Sequence, residues 1–357
     1  MKPNSSTNAL VRFRAALRRV PRSTTVLVML GEVDVGYLVW HRAQSRGTPV
    51  EEEFATGNVG LTEDLCDLLA RAGNKAPVVY ASSTQALADN PYGRSKLAAE
   101  RVLFRHGETI GAPVTVFRLT NVFGKWARPD YNSAVATFCH RIANGGEIAV
   151  RDARAPLALV YIDDVVAAFA RLIEEAPGRS GFGEVQPVYS TTVGEVADLV
   201  RSFAESRATL ISPPCGSGLV RALYSTYLSY LPLAEFEYRV PIHGDPRGAF
   251  VEMLKTPDTG QFSYFTAHPG VTRGDHYHHT KAEKFLVIAG KAHFGFRHII
   301  TGETHEIVVQ GGEGRIVETI PGWTHNVTNV GGEQLIVMLW ANEIFDRARP
   351  DTIAMKV

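Results

Sequence analysis

The sequence predicts an α/β domain built on a doubly wound parallel sheet, followed by a separate all-β barrel. Three observations carry that expectation: the length, a change of pattern past the middle of the chain, and helix-sized segments confined to the first side of that change. The chain has 357 residues, 45% of them hydrophobic, more than one compact core usually encloses, so two domains are expected. From about Asn58 to Ala208, short β-branched runs alternate with helical stretches, as parallel strands joined by helices do. After about Pro241, short alternating segments cut by glycine take over, which fits antiparallel strands of a barrel or sandwich. The expected boundaries are 1–211 for the α/β domain, 212–240 for a connection and 241–357 for the barrel.

Each element has a local reason. Pro77 to Ser82, Val114 to Leu119 and Leu157 to Tyr161 are apolar runs of strand length. Pro91 to His106 is rich in Ala, Leu, Arg and Glu, and Asp163 to Glu175 carries an apolar stripe behind an acidic start that suits a helix N-terminus. Ser212 to Pro232, with Pro213, Pro214, Gly216 and Gly218, reads as the connection. Beyond it, Lys284 to Ile288, Ala292 to Phe296 and Leu335 to Trp340 are expected strands of the barrel. There is no internal repeat and no low-complexity tract.

Composition excludes several functions. Lys plus Arg equals Asp plus Glu at 37 each, so nothing in the net charge favours nucleic acid or an acidic membrane face as partner. The basic stretch Arg12, Arg14, Arg18 and Arg19 is the local exception. Cys66, Cys139 and Cys215 are odd in number and in no CxxC spacing, which argues for core filler in a reducing compartment rather than a disulfide scaffold. No apolar run reaches the roughly 18–20 residues that a bilayer span needs, and the start lacks the order of a signal peptide. The cytoplasm is the expected location.

The first half carries Tyr92-Gly-Arg-Ser-Lys96 in a predicted helix, which puts Tyr92 and Lys96 one turn apart on one face. A lysine beside a phenol favours the phenolate, making the tyrosine a usable proton donor and acceptor near neutral pH. Ser82, Ser83 and Thr84 follow the strand upstream, where a hydroxyl can reach a substrate oxygen held by that tyrosine. Phe117-Arg118-Leu119-Thr120-Asn121-Val122-Phe123-Gly124 follows downstream.

In this order, the strand, YxxxK and RxxNxxG elements resemble the extended short-chain dehydrogenase/reductase family, with its Rossmann-like sheet. The resemblance implies a nicotinamide cofactor, NADPH or NADH, and a nucleotide-sugar substrate. It assigns proton transfer to Tyr92, ribose binding and depression of the tyrosine pKa to Lys96, and the hydrogen bond to the sugar oxygen to Ser83, with Ser82 or Thr84 as alternatives. Ser82 is also a candidate on the cofactor side. Asn121 would face the substrate, and Lys125, Arg128 and Asn132 are candidates for diphosphate or sugar contacts. Residues 1–60 hold no GxGxxG or GxxGxxG, the turn whose glycines let backbone approach a pyrophosphate. Asn8 to Val20 looks like the helix that follows such a turn. Val26 to Leu30 looks like the next strand, running into Gly31-Glu32-Val33-Asp34. The chain is therefore expected either to be truncated before that helix or to have lost part of the nicotinamide site.

In the second half, Gly270-Val-Thr-Arg-Gly-Asp-His276-Tyr-His278-His279-Thr-Lys-Ala-Glu283, then Gly290, fits a first cupin motif, and Pro321-Gly-Trp-Thr-His325-Asn326 its distal partner. In a strand His276 and His278 share a face by the period of two. Three imidazoles with the Glu283 carboxylate suit zinc or another first-row divalent ion. His243-Gly-Asp245-Pro-Arg247-Gly248-Ala-Phe250-Val-Glu252 and Arg273-Gly-Asp-His276-Tyr resemble sugar-nucleotide 3,5-epimerases, in which the residue matching His276 is a base on the carbon beside a ketone. His276 is thus either ligand or base, with His279 the spare imidazole if it is a ligand, and Arg247 is a candidate for the substrate diphosphate.

The order of the two modules is similar to a family of bifunctional nucleotide-sugar enzymes of bacterial capsule and O-antigen synthesis, as are Asp89-Asn-Pro-Tyr92, Phe123-Gly-Lys-Trp126, Tyr131-Asn-Ser133, Tyr224 to Pro232 and His279 to Phe285. The similarity runs from roughly Glu53 onward. It implies that the cupin epimerises carbon 3 of a UDP-4-keto-6-deoxy-N-acetylhexosamine, that the first domain reduces carbon 4 with NADPH, and that the protein is a homodimer. Two other readings stand beside it: a single-activity 4-keto-sugar reductase with a structural cupin, and a non-catalytic fusion that binds sugar nucleotides.

Overall fold

The computed structural model describes residues 26–28, 59–175 and 178–357. The expected helix Asn8 to Val20 and the Gly31 to Asp34 segment lie outside the described residues. Of the strand expected at Val26 to Leu30, β1 (Val26–Val28) lies within them. The chain divides into two compact units, one of residues 1–137 and 150–194, the other of residues 138–149 and 195–357.

In the first unit, β1, β2 (Val78–Ser83), β3 (Val114–Leu119) and β6 (Gly181–Gly183) form a parallel sheet in the order β1-β2-β3-β6. β2 is buried on both faces, as the inner strands of parallel sheets are. A smaller sheet sets β4 (Asn121–Phe123) parallel to β5 (Pro156–Tyr161), and β5 antiparallel to β7 (Tyr189–Thr192). The helices are α1 (Leu61–Arg71), α2 (Pro91–Ile110), the start of α3 (Ala134–Ala143) and α4 (Ile162–Glu174).

The ends of α2 are set by sequence. The Asn90 side chain accepts the Gly93 N–H at 2.8 Å, Pro91 occupies the first turn, and Gly111 closes the helix in the left-handed region at φ 71°. The helix runs past the expected His106 because nothing before Gly111 breaks it. Its buried stripe, Lys96, Ala99, Glu100, Leu103 and Gly107, follows helical spacing, and Ala99 and Leu103 join Leu65, Leu69, Val78, Tyr80, Val114 and Val116 in one apolar core.

Glu100 is the polar member of that stripe. It is 2% exposed and accepts hydrogen bonds from Ser82 Oγ at 2.5 Å, Arg118 Nη2 at 2.7 Å and Arg118 Nε at 3.1 Å, tying α2 to β2 and β3. A buried carboxylate persists only when paired in this way. Glu100→Ala is expected to lower the unfolding free energy by roughly 3 kcal/mol, the low end for breaking a buried pair, because Arg118 keeps some water. Urea unfolding checks this, and a change below about 1 kcal/mol would show that the network is not structural.

The second unit holds two antiparallel sheets. One, in the order β15-β12-β17-β10-β9-β8, contains β8 (Ile242–Asp245), β9 (Gly248–Thr256), β10 (Gly260–Ala267), β12 (Glu283–Ala289), β15 (Ile316–Glu318) and β17 (Leu335–Ala341). The other, in the order β14-β13-β16-β11-β18, contains β11 (Thr272–Tyr277), β13 (Lys291–His298), β14 (Thr304–Gln310), β16 (Trp323–Asn329) and β18 (Ile353–Ala354). Alternation sorts the side chains: Leu335, Val337 and Leu339 of β17 turn inward to meet Phe285, Phe294 and Val327.

The segment expected as a connection holds a helix. Residues 212–240 contain helix α6 (Gly218–Leu228), which follows α5 (Val193–Thr209). The prolines and glycines occupy only the approach to α6, whereas Ala222, Leu223, Thr226 and Tyr227 form a buried stripe, and the Tyr224 and Tyr227 rings sit 5.1 and 5.8 Å from the Phe203 ring. No described helix is long and apolar enough to cross a membrane.

Candidate functional site

In the first unit, Tyr92 is the second residue of α2 and Lys96 follows one turn later. Lys96 is 1% exposed, with Nζ 5.6 Å from the centre of the Tyr92 ring and 5.3 Å from that of Tyr80. The glycine between them in the motif is a steric requirement: a Cβ at Gly93 would lie 2.1 Å from the carbonyl oxygen of Gln85 and 2.5 Å from that of Ala88. The start of α2 therefore rests directly on the turn Thr84–Leu87 that follows β2.

The three hydroxyls before that helix separate. Ser82 donates to Glu100 and is committed to the core, whereas buried Ser83 accepts the Gln85 N–H at 3.2 Å and keeps its hydroxyl proton for another acceptor. Thr84 is exposed. The downstream candidates have protein partners of their own. Asn121 donates to the Ala158 carbonyl at 3.1 Å, Lys125 pairs with Asp163 at 2.6 Å, which raises the lysine pKa, and the Arg128 guanidinium lies 5.2 Å from the Tyr131 ring. Asn132 is exposed.

In the second unit, His276 lies on β11 directly opposite His325 of β16, with ring centres 4.7 Å apart. His278, just past β11, is 4.9 Å from His276 and 5.2 Å from His325 by the same measure. Glu283 opens β12 in the facing sheet. The candidate ligand atoms of His276, His278, Glu283 and His325 all lie within 4.8 Å of one another. His279 is exposed, stacked edge-on against Tyr277, and stands apart from this group.

The donor set fits a divalent cation. His278 Nδ1 meets the backbone carbonyl of Asp351, and a carbonyl only accepts, so the proton resides on Nδ1 and Nε2 presents a lone pair. That lone pair faces Glu283 Oε2 at 3.3 Å, a contact between two acceptors that only a proton or a cation can mediate. His325 Nε2 is 3.3 Å from the same oxygen, buried, and without a hydrogen bond of good geometry. Burial alone would raise the Glu283 pKa. A proton or cation shared with the flanking His278 and His325 imidazoles, together with the Lys281 ammonium 2.9 Å from Oε1, holds it well below the usual range instead. Burial, then the neighbouring His325, pushes His276 down to about 4, so it is neutral at physiological pH.

A bulge shapes the adjoining cavity. Gly274 and Asp275, at φ 106° and 58°, shift the register between β11 and β16 before His276 pairs with His325. Arg273 and His276, an odd three positions apart, consequently line the same cavity of about 260 Å³ with Arg247, Glu283, His325 and Asn326. Arg273 donates to the Thr266 carbonyl at 3.0 Å, and Arg247 pairs with Asp245 at 2.6 Å.

Sequence reading missed Glu100, Lys281 and Asp351. Glu100 had a usable signal, its place one helical turn after Lys96 on the buried face. Lys281, two positions before Glu283, offered only proximity to a carboxylate, and Asp351 offered none.

Residues 37–181 match the NAD dependent epimerase/dehydratase family and residues 243–353 the polysaccharide biosynthesis C-terminal domain. Over 319 residues the chain is 54% identical to the UDP-2-acetamido-2,6-beta-L-arabino-hexul-4-ose reductase of Pseudomonas aeruginosa PA103, covering 89% of this chain and 86% of that protein. The crystal structure of the capsular polysaccharide assembling protein CapF from Staphylococcus aureus superposes with a TM-score of 0.78 at 43% identity, over 83% of this chain and 80% of that one. The same protein in space group C2221 gives 0.76 at 35% identity, over 94% and 100%. The chain belongs to the family of the Pseudomonas reductase, NAD(P)-dependent nucleotide-sugar enzymes in which a parallel-sheet epimerase/dehydratase domain precedes an antiparallel cupin barrel.

Proposed function

We propose that the protein acts on a UDP-4-keto-6-deoxy-N-acetylhexosamine, with the barrel epimerising carbon 3 and the first domain reducing carbon 4 with NADPH to give UDP-2-acetamido-2,6-dideoxy-L-talose. The observation that carries the proposal is His276 lining a cavity with two arginines and the His325–Glu283 pair, in a chain that also sets Tyr92 beside the buried Lys96. The relative named as a hexul-4-ose reductase supports a 4-keto sugar as substrate.

A 4-keto group acidifies its neighbouring carbon. His276 removes the carbon 3 proton, and a proton returned to the opposite face inverts that centre. His278, Glu283 and His325 would hold a divalent cation, zinc or another first-row ion, which when bound would supply positive charge for the enolate oxygen. Arg247 and Arg273 offer the diphosphate positive charge at the cavity wall. In the first domain a bound nicotinamide would supply the hydride that reduces the ketone to an alcohol, while the Tyr92 hydroxyl donates a proton to the carbonyl oxygen. Lys96 stabilises the phenolate left on Tyr92 and would hold the cofactor ribose. Ser83 donates a hydrogen bond to the same sugar oxygen.

The test is solvent-deuterium incorporation at carbon 3 of this substrate, with NADPH absorbance followed in the same tube. Both signals are expected. Reduction without exchange would leave a reductase with a structural cupin, and neither signal would leave a binding protein. His276→Ala is expected to abolish exchange while retaining metal; loss of metal as well would make His276 a fourth ligand.

A further inference from the structure

We propose that Asp351 is the positioning residue of the cation site, fixing at once the orientation of His278 and the turn that delivers Glu283. This rests on the reading of the cluster as a cation site and goes beyond it, because no residue of the histidine motifs contains the information.

After His278 the chain has to leave β11 and reach the facing sheet by Glu283. Over that turn the N–H groups of His279, Thr280 and Lys281 all converge on the Asp351 carboxylate, at 2.9, 2.7 and 2.8 Å, and Thr280 Oγ1 adds a fourth bond at 3.0 Å. Successive amides converging in this way form an anion-binding concavity, here filled by the protein's own side chain. The Lys281 so placed holds Glu283 Oε1 at 2.9 Å and leaves Oε2 facing the imidazoles. The backbone carbonyl of Asp351 accepts a hydrogen bond from the His278 Nδ1–H, which keeps the proton on Nδ1 and leaves Nε2 as the ligand atom.

Asp351 is itself anchored. β18 pairs with β11, Ala354 opposite His276 and Ile353 opposite Tyr277, and Met355 N–H donates to the Asp275 carbonyl at 2.9 Å. His278, Lys281 and Glu283 are 1%, 7% and 4% exposed, so the groups that this turn places are themselves held out of water, although His279 and Thr280 lie at the surface.

The experiment compares wild-type protein with Asp351→Ala and Asp351→Asn for zinc affinity, by competition with a chromogenic chelator, and for thermal midpoint with zinc and with EDTA. Asp351→Ala is expected to bind zinc about 10- to 100-fold more weakly, with Asp351→Asn between it and wild type because an amide oxygen still accepts part of the turn. The zinc-induced rise in midpoint is expected to shrink while the EDTA midpoint changes little, and the visible spectrum of the cobalt-substituted protein is expected to change in intensity as ligand geometry loosens. Wild-type zinc affinity in both variants overturns the inference. Equal losses of midpoint with and without zinc also overturn it, since they mark a purely structural residue. Wild-type protein that takes up no stoichiometric metal removes the cation reading and this inference with it, whereas failure of the Asp351 variants alone to differ leaves that reading intact. If Asp351→Ala does not fold, Asp351→Asn carries the test.

Discussion

Replacing Tyr92 by Phe is expected to lower NADPH-dependent reduction by about 100- to 10,000-fold, the range for losing a positioned general acid. Phenylalanine keeps the ring and its packing 5.6 Å from Lys96, so the loss falls on kcat rather than on KM, as it does when an interaction made only in the transition state is removed. Deuterium exchange at carbon 3 is expected to continue at the wild-type rate, because the proposal assigns that step to the barrel. Steady-state kinetics and mass spectrometry on the same samples decide the matter. Reduction that survives the substitution would place the proton donor elsewhere, and loss of both signals would contradict the division of labour.

The second large effect is expected from metal removal. Dialysis against a chelator should suppress exchange at carbon 3 by about 100-fold or more, in line with several kcal/mol of lost charge stabilisation at the enolate. Added zinc should restore it. His278→Ala should reproduce the chelated state with little recovery on zinc addition, because the site loses one of the imidazoles proposed to hold the ion. Exchange at full rate in protein shown by elemental analysis to be metal-free would sink the proposal and leave His276 acting without a cation.

The features readable in the sequence are those encoded locally. The helix carrying Tyr92 and Lys96 shows in its Ala, Leu, Arg and Glu content, and the strand Val114–Leu119 is found at its predicted bounds because β-branched and aromatic residues fill it between breakers. His276, His278, Glu283 and His325 were legible as a group since the first two stand at the alternating spacing of a strand and the others at recognisable offsets. Long-range partners were not legible. Nothing around Asp351 ties it to a turn at residues 279–281, and nothing around Ser82 tells that its hydroxyl faces Glu100 while Ser83 does not. The helix at Gly218–Leu228 was hidden for a different reason, because prolines and glycines at the start of the segment outweigh the stripe of Ala222, Leu223, Thr226 and Tyr227 further on.

The bulge at Gly274 and Asp275 has one more consequence. In an unbroken strand, positions 273 and 276 are out of phase, and one of the two side chains would point away from the cavity. The extra residue acts as a phase slip, which lets a guanidinium and an imidazole look into one chamber although their spacing forbids it. A strand that kept residue 275 but lost the bulge would retain every charged and aromatic group of the motif and still lose the arrangement, with Arg273 facing outward while His276 faced in.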